Sequence, residues 1–259
     1  MRRTFSVTTI ERSVQPMNAT PARSELINAG TGIHLRAITW GSSDLQAQVP
    51  IVLVHGLASN ALLWAGAAVE LTKLGHMVMA VDLRGHGLSD KPDSGYDMAS
   101  VANDVAGLLR VIDERGFHRP VIVGQSWGGN VVIELAHTHP GLVRGVCAVD
   151  GGFLELRQHF PEWDECAVVL RPPTIAGMRA DHMRKHMRDA HPDWPETGID
   201  GTMANMEHLS DGTIRPWLTL ERHLMKGYGN IMAVTLPFAI LGMAHVLRTL
   251  RESSHRTIL

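Results

Sequence analysis

Residues 124–128 read Gly-Gln-Ser-Trp-Gly, a serine with a glycine two positions to either side. A serine hydroxyl is a weak nucleophile until a base takes its proton, so this pattern alone is not yet chemistry. Its setting adds what the pattern lacks. Before it, PVIVG is a short apolar run that reads as a buried strand. After it, GGNVVIELAHTHP has helical spacing and stops at Pro140. A serine at such a strand–turn–helix junction, a nucleophile elbow, sits on a sharp, strained turn, and the flanking glycines let strand and helix approach closely. The turn exposes the hydroxyl. It also aims the backbone N–H of Trp127 and the helix N-terminus at negative charge developing on an attacked carbonyl. The context assigns Ser126 as a nucleophile for acyl chemistry rather than one residue of a plain tight turn.

The elements around this junction follow a regular order. SELINA and IHLRAITW read as two strands joined by a turn at residues 30–32, and PIVLVHG, HMVMAVD and LVRGVCAVD as three more. ALLWAGAAVELTKLG has helical spacing, with Leu63, Ala67, Val69, Leu71 and Leu74 near one face. A second helix runs from Met98 to Arg115, with Val101, Val105, Leu108, Leu109 and Ile112 inward. Strand–helix alternation over residues 23–150 gives an α/β core, a mostly parallel sheet with helices on both faces. Residues 151–226 break the pattern: Pro, Met, His and Trp accumulate around stretches such as GMRADHMRKHMRDAH. They read as a helical cap insertion over one end of the sheet. Residues 1–22 are polar and read as a flexible N-terminal segment without the apolar stretch of a secretory signal.

Three motifs in chain order carry a family resemblance: HGLASN at 55–60, DLRGHGLSD at 82–90 and GQSWGG at 124–129. Over residues 23–225 the chain resembles the α/β-hydrolases. The resemblance implies that HGLASN is the loop after the third strand whose backbone helps form an oxyanion hole, which makes the N–H of Leu57 a donor beside that of Trp127. It implies a catalytic order of serine, acid, then histidine. It also argues against haloalkane dehalogenase or epoxide hydrolase chemistry, which in this fold uses an aspartate nucleophile.

The C-terminal part departs from the family pattern. The elements expected after the cap need roughly 45–50 residues, and only 33 follow Lys226. Residues 227–251 contain no Asp or Glu, so the usual triad acid is missing there. Asp150, which closes the sixth strand, is the acid that remains at a suitable place, since residues at the ends of parallel strands face the crevice. Its alternative role is to cap a turn through Gly151 and Gly152. For the base, His245 and His255 remain in the tail, and His255 is the assignment. His137 and His139 read as surface residues at a helix end. His182 and His186 stand four apart but lack the glutamate of a zinc-binding H-E-x-x-H, so a solvated helix face is the reading and no metal is expected.

Composition narrows the remaining classes. A formal charge of −2 with no long basic run disfavours nucleic acid as a partner. Two cysteines, Cys147 and Cys166, cannot build a disulfide scaffold and fit a reducing, cytoplasmic compartment. The 21 residues from 227 to 247 carry no Asp, Glu, Lys or Arg, but Asn230, Thr235, Pro237, Gly242 and His245 interrupt them, so a membrane anchor ranks below core or tail. The reading is a serine hydrolase that cleaves an ester or similarly activated acyl bond of a small molecule without a cofactor. Ser126 is its nucleophile, His255 its base and Asp150 its orienting acid. Trp163, Trp194, Trp217 and the cap methionines are expected around an apolar pocket. Carbon–carbon bond hydrolysis and cofactor-free perhydrolysis use the same constellation. The alternative is a non-catalytic relative that keeps the elbow without a competent histidine.

Overall fold

The computed structural model describes residues 22–41, 48–152, 162–169 and 174–219. The chain opens with a hairpin, β1 (Arg23–Asn28) and β2 (His34–Trp40), paired antiparallel from Arg23 opposite Thr39 to Asn28 opposite His34. The core continues through β3 (Ile51–Val54), α1 (Ala65–Lys73), β4 (Val78–Val81), α2 (Met98–Asp113), β5 (Val121–Gln125), α3 (Trp127–Thr138) and β6 (Gly145–Val149). The spatial strand order is β1-β2-β4-β3-β5-β6, and β2 pairs antiparallel to β4. From β4 to β6 every pairing is parallel.

Strands β3 and β4 are apolar at every position because both of their faces are covered. Val52, Val54, Met79 and Val81 point into one cluster with α2 and α3. Their alternate neighbours Ile51, Leu53, Val78 and Ala80 point into a second cluster with the α1 side. Helix α2 follows its sequence pattern: Val101, Val105, Leu108, Leu109 and Ile112 are all buried. Asp97 caps it by accepting the Ser100 N–H at 2.8 Å. The α1 face differs from the one its spacing indicates. A 3₁₀ turn, Ala61–Trp64, precedes the α-helix, and the change of pitch rotates the apolar stripe. Ala61 and Ala68 are buried, whereas Leu63, Ala67 and Leu74 are exposed.

The order of the central strands creates the crevice. From β3 the chain crosses through α1 to β4 on one side, then through α2 to β5 on the other. The loops after β3 and β5 therefore part at a switch point, the usual position of a site in an open parallel sheet. The described part of the inserted segment holds α4 (Trp163–Val169), α5 (Ala180–Ala190) and α6 (Glu196–Met203). It also holds a three-stranded antiparallel sheet of β7 (Met178–Arg179), β9 (Thr213–Pro216) and β8 (Met206–His208), in that spatial order. This segment thus carries strands as well as helices, where the sequence pointed to a helical cap. Strands of two to four residues are too short to establish a period of two. Ile199, Met203, Met206 and Ile214 form the cap's own small core.

Candidate active site

Ser126 stands at the junction of β5 and α3 with φ 51° and ψ −122°. This is a left-handed conformation that a residue with a Cβ adopts only when its surroundings enforce it, at a cost of about 1–3 kcal/mol. Two backbone hydrogen bonds fix the turn. The Ser126 N–H donates to the Val149 carbonyl at 2.9 Å, and the Ser126 carbonyl accepts the Gly129 N–H at 2.8 Å.

The glycines do what close approach requires. A Cβ on Gly124 would lie 2.1 Å from the Gly128 carbonyl oxygen, and one on Gly128 would lie 2.4 Å from that of His55. One on Gly151 would lie 2.1 Å from the Ser126 carbonyl oxygen. One on Gly56 would meet the Ser126 Cβ at 3.2 Å, so the loop after β3 touches the elbow. We expect Gly128→Ala to cost about 3 kcal/mol of stability through overpacking against backbone that cannot yield. Urea unfolding checks this, and an unchanged midpoint would show that the strand and helix can separate freely.

The structure brings Ser126, Trp127, the Gly56–Leu57 turn and the segment from Asp150 to Gly152 to one end of the sheet. Trp127 is the first residue of α3 and its side chain is buried. Leu57 is half-buried. Asp150 follows directly on Val149, whose carbonyl holds the Ser126 N–H. It is exposed and itself adopts φ 47°. Asn130 on α3 accepts the Gly152 N–H at 3.1 Å and anchors the turn that carries this aspartate. His255 lies outside the described residues, as do His245, the N-terminal segment to residue 21 and the tail from residue 220. The side chain of Trp163 is likewise outside the description.

Two histidines that sequence reading passed over are buried beside the elbow. His55 Nε2 accepts the Leu83 N–H at 3.0 Å, so its proton is on Nδ1, which donates to the Gly56 carbonyl at 2.7 Å. His86 Nε2 accepts the Ala58 N–H at 3.2 Å, and its Nδ1 donates to the Arg84 carbonyl at 2.9 Å. The His86 ring lies 4.8 Å from that of His55 and 5.9 Å from that of Trp127. Each imidazole is a clamp between two backbone segments, with both nitrogens engaged. Neither is free to act as a base. The signal available for them was their place in HGLASN and DLRGHGLSD, loops that resemblance assigns to the site but not to these bonds.

Burial holds the His55 imidazole below its ordinary value of about 6.5, outweighing the attraction of Asp82. The folded state therefore stays neutral where the unfolded chain takes up a proton. Stability from this group is complete above about pH 6.5 and is lost as pH falls from there toward the lower folded value, by up to about 1.4 kcal/mol per pH unit. Urea midpoints between about pH 7.5 and 5.5 should fall in the wild type and fall less steeply in His55→Asn. Equal slopes would remove His55 as the cause.

The D-x-R-G-x-G-x-S loop is a scaffold of the site. Asp82 is fully buried; its carboxylate accepts the Ala61 N–H at 2.7 Å, the Leu88 N–H at 2.9 Å and Arg36 Nη1 at 3.2 Å. Ser89 donates to the Asp82 carbonyl at 2.6 Å and accepts the Arg36 N–H at 2.8 Å. Arg84 binds Asp104 on α2 through two nitrogens, at 2.5 and 2.6 Å. Asn60 ties the loop after β3 to the cap, donating to the Gly201 carbonyl at 2.8 Å and to Asn205 at 2.5 Å. His182 and His186 are both exposed on α5, and no group of three potential metal ligands occurs among the described residues. No helix among those residues is long and apolar enough to cross a membrane.

A family profile described as the alpha/beta hydrolase fold matches residues 49–188, more than half of the chain. The chain belongs to the alpha/beta hydrolase fold family. It is 40% identical over 102 residues to 2-(acetamidomethylene)succinate hydrolase of Mesorhizobium japonicum, covering 39% of this chain and 35% of that one. It is 38% identical over 115 residues to non-heme chloroperoxidase of Streptomyces lividans, covering 44% of this chain and 39% of that one. These matched stretches thus span only about a third of the length of such relatives. The crystal structure of E-2-(acetamidomethylene)succinate hydrolase superposes with a TM-score of 0.69 over 92% of this chain and 90% of that one, at 22% identity. That likeness is one of fold.

Proposed function

We propose that this alpha/beta hydrolase is a serine hydrolase acting on an ester or similarly activated acyl bond. The observation that carries the reading is Ser126, held at φ 51° at the N-terminus of α3. A strained non-glycine residue at the mouth of the crevice is costly unless its side chain has a task there. In the proposed reaction the Ser126 hydroxyl oxygen attacks the acyl carbon while His255 takes its proton. The N–H groups of Leu57 and Trp127 hold the resulting oxyanion. Collapse expels the alcohol, which leaves with the proton from His255. Water, activated by the same histidine, then hydrolyses the acyl-enzyme and frees the acid and Ser126. Asp150 orients the histidine and stabilises its charged form. No cofactor enters these steps, and the partner is a small acyl substrate.

A fluorophosphonate probe tests the reading, because it reports an activated serine whatever the natural substrate. Labelling of the full chain at Ser126, lost in His255→Ala, supports the assignment of both residues. Labelling elsewhere overturns it. A second reading has its own observation. Both histidines buried beside the elbow are committed to backbone, so among the described residues neither supplies the base. If Ser126 stays unlabelled in a folded chain, the protein is a binding relative that keeps the elbow without a base.

A further inference from the structure

A cavity of about 180 Å³ lies between cap and core. On the core side it is lined by Ala58 and His86, and on the cap side chiefly by Met183, Met206, Trp217 and Leu218. Ala58 follows Leu57, and Gly56 just before them packs against the Ser126 Cβ. The cavity therefore opens two residues along the same loop from the contact with the nucleophile.

Its polar lining groups are already engaged within the protein. His86 has both ring nitrogens on backbone. The Thr202 hydroxyl donates to the Gly198 carbonyl at 3.0 Å, and the Asn205 side-chain oxygen accepts from Asn60. No lysine or arginine lines the cavity among the described residues. Lys91 does not line the cavity but lies over the ring of Trp217, 4.5 Å from its centre, and its ammonium donates to the carbonyls of Gly87 at 2.7 Å and Ser89 at 2.8 Å. It pins that ring to the core.

We infer that the acyl group accepted here is apolar and uncharged, about six carbons long, and that Met183 sets its length. This rests on the serine-hydrolase reading of the same site. The size follows from volume, since an apolar protein cavity of about 150 Å³ accommodates benzene. The exclusion of charge follows from desolvation: a carboxylate entering this cavity gives up water and meets no lining cation among the described residues. The pocket chemistry thus separates this chain from a relative named for a succinate derivative. Met183, half-buried on α5, lines the cavity and packs against the small cluster of Ile199, Met203, Met206 and Ile214, and its unbranched side chain can be exchanged to change the depth of the cavity.

The test compares p-nitrophenyl hexanoate with the mono-p-nitrophenyl ester of adipate, which has the same chain length and a terminal carboxylate. We expect kcat/KM to be at least about 100-fold higher for hexanoate. Met183→Phe should move the preferred chain toward acetate and Met183→Ala toward longer acids, each by about tenfold in relative kcat/KM. Hexanamide, which needs no turnover, should raise the melting temperature of the wild-type chain, and adipamate should not. Hexanamide binding without ester turnover overturns the catalytic reading and leaves the pocket assignment standing. Turnover of both esters at similar rates, opposite variants with the same chain profile, or no hexanamide binding overturns the inference.

Discussion

Ser126→Ala is expected to lower ester turnover by at least roughly 10⁴-fold while leaving the fold intact. The size of the effect follows from what remains. The proposed backbone donors at Leu57 and Trp127 are independent of the serine side chain, so on this proposal the alanine variant retains binding and oxyanion stabilisation but has no nucleophile. Such remnants are worth about 10³–10⁴-fold over water. Alanine removes one oxygen from a half-buried site, and the Ser126 backbone bonds to Val149 and Gly129 do not involve that oxygen. Urea unfolding of the variant should therefore match the wild type. Combining Ser126→Ala with His255→Ala should add little, because nucleophile and base act as a unit. A residual rate within about tenfold of wild type would place the nucleophile elsewhere.

The core was legible because its apolar patterns are long and its breaks are glycines. The continuous runs of β3 and β4 and the 3.6-residue stripe of α2 each permit one arrangement, two covered faces for the strands and one for the helix. The elbow was legible for a stronger reason. Its glycines answer to contacts that forbid a Cβ, so the pattern in the sequence is a direct trace of packing.

The errors have physical causes as well. On α1, a 3₁₀ turn shifts the phase of the helix, and a window that assumes one pitch turns Leu63 and Leu74 inward when both face solvent. In the cap, Gly212 at φ 82° closes a hairpin whose strands carry too few residues for alternation to register. His55 and His86 were opaque because a histidine clamped between backbone groups has the same letter as a catalytic one. What separates the two roles is the partners of the ring nitrogens, here backbone on both sides rather than a nucleophile and a carboxylate. His255 and the apolar run at 227–247 lie outside the described residues, and the triad remains a proposal tied to Asp150 and Ser126.

Asp104→Ala is expected to cost about 3–5 kcal/mol of stability. Asp104 is fully buried on α2 and Arg84 is nearly so. Their two-nitrogen pairing is extended by the Thr31 hydroxyl, 2.5 Å from Asp104 Oδ1, and by Arg84 Nη1, which donates to the Gly95 carbonyl at 2.7 Å. The pair itself adds little net energy, because desolvating two charges offsets most of their attraction. Removing one member is a different matter, since the guanidinium then stays buried without its counter-charge. Arg84 also begins the turn whose carbonyl holds His86, and His86 in turn holds the Ala58 N–H beside the proposed oxyanion donor. The loss should therefore reach function: at a temperature where the variant is still folded, kcat for a p-nitrophenyl ester should fall. The double variant Arg84→Met, Asp104→Leu separates the two effects. It removes both charges, so it should recover most of the stability lost in Asp104→Ala. If the double variant is no more stable than Asp104→Ala, the cost comes from lost packing rather than an orphaned charge.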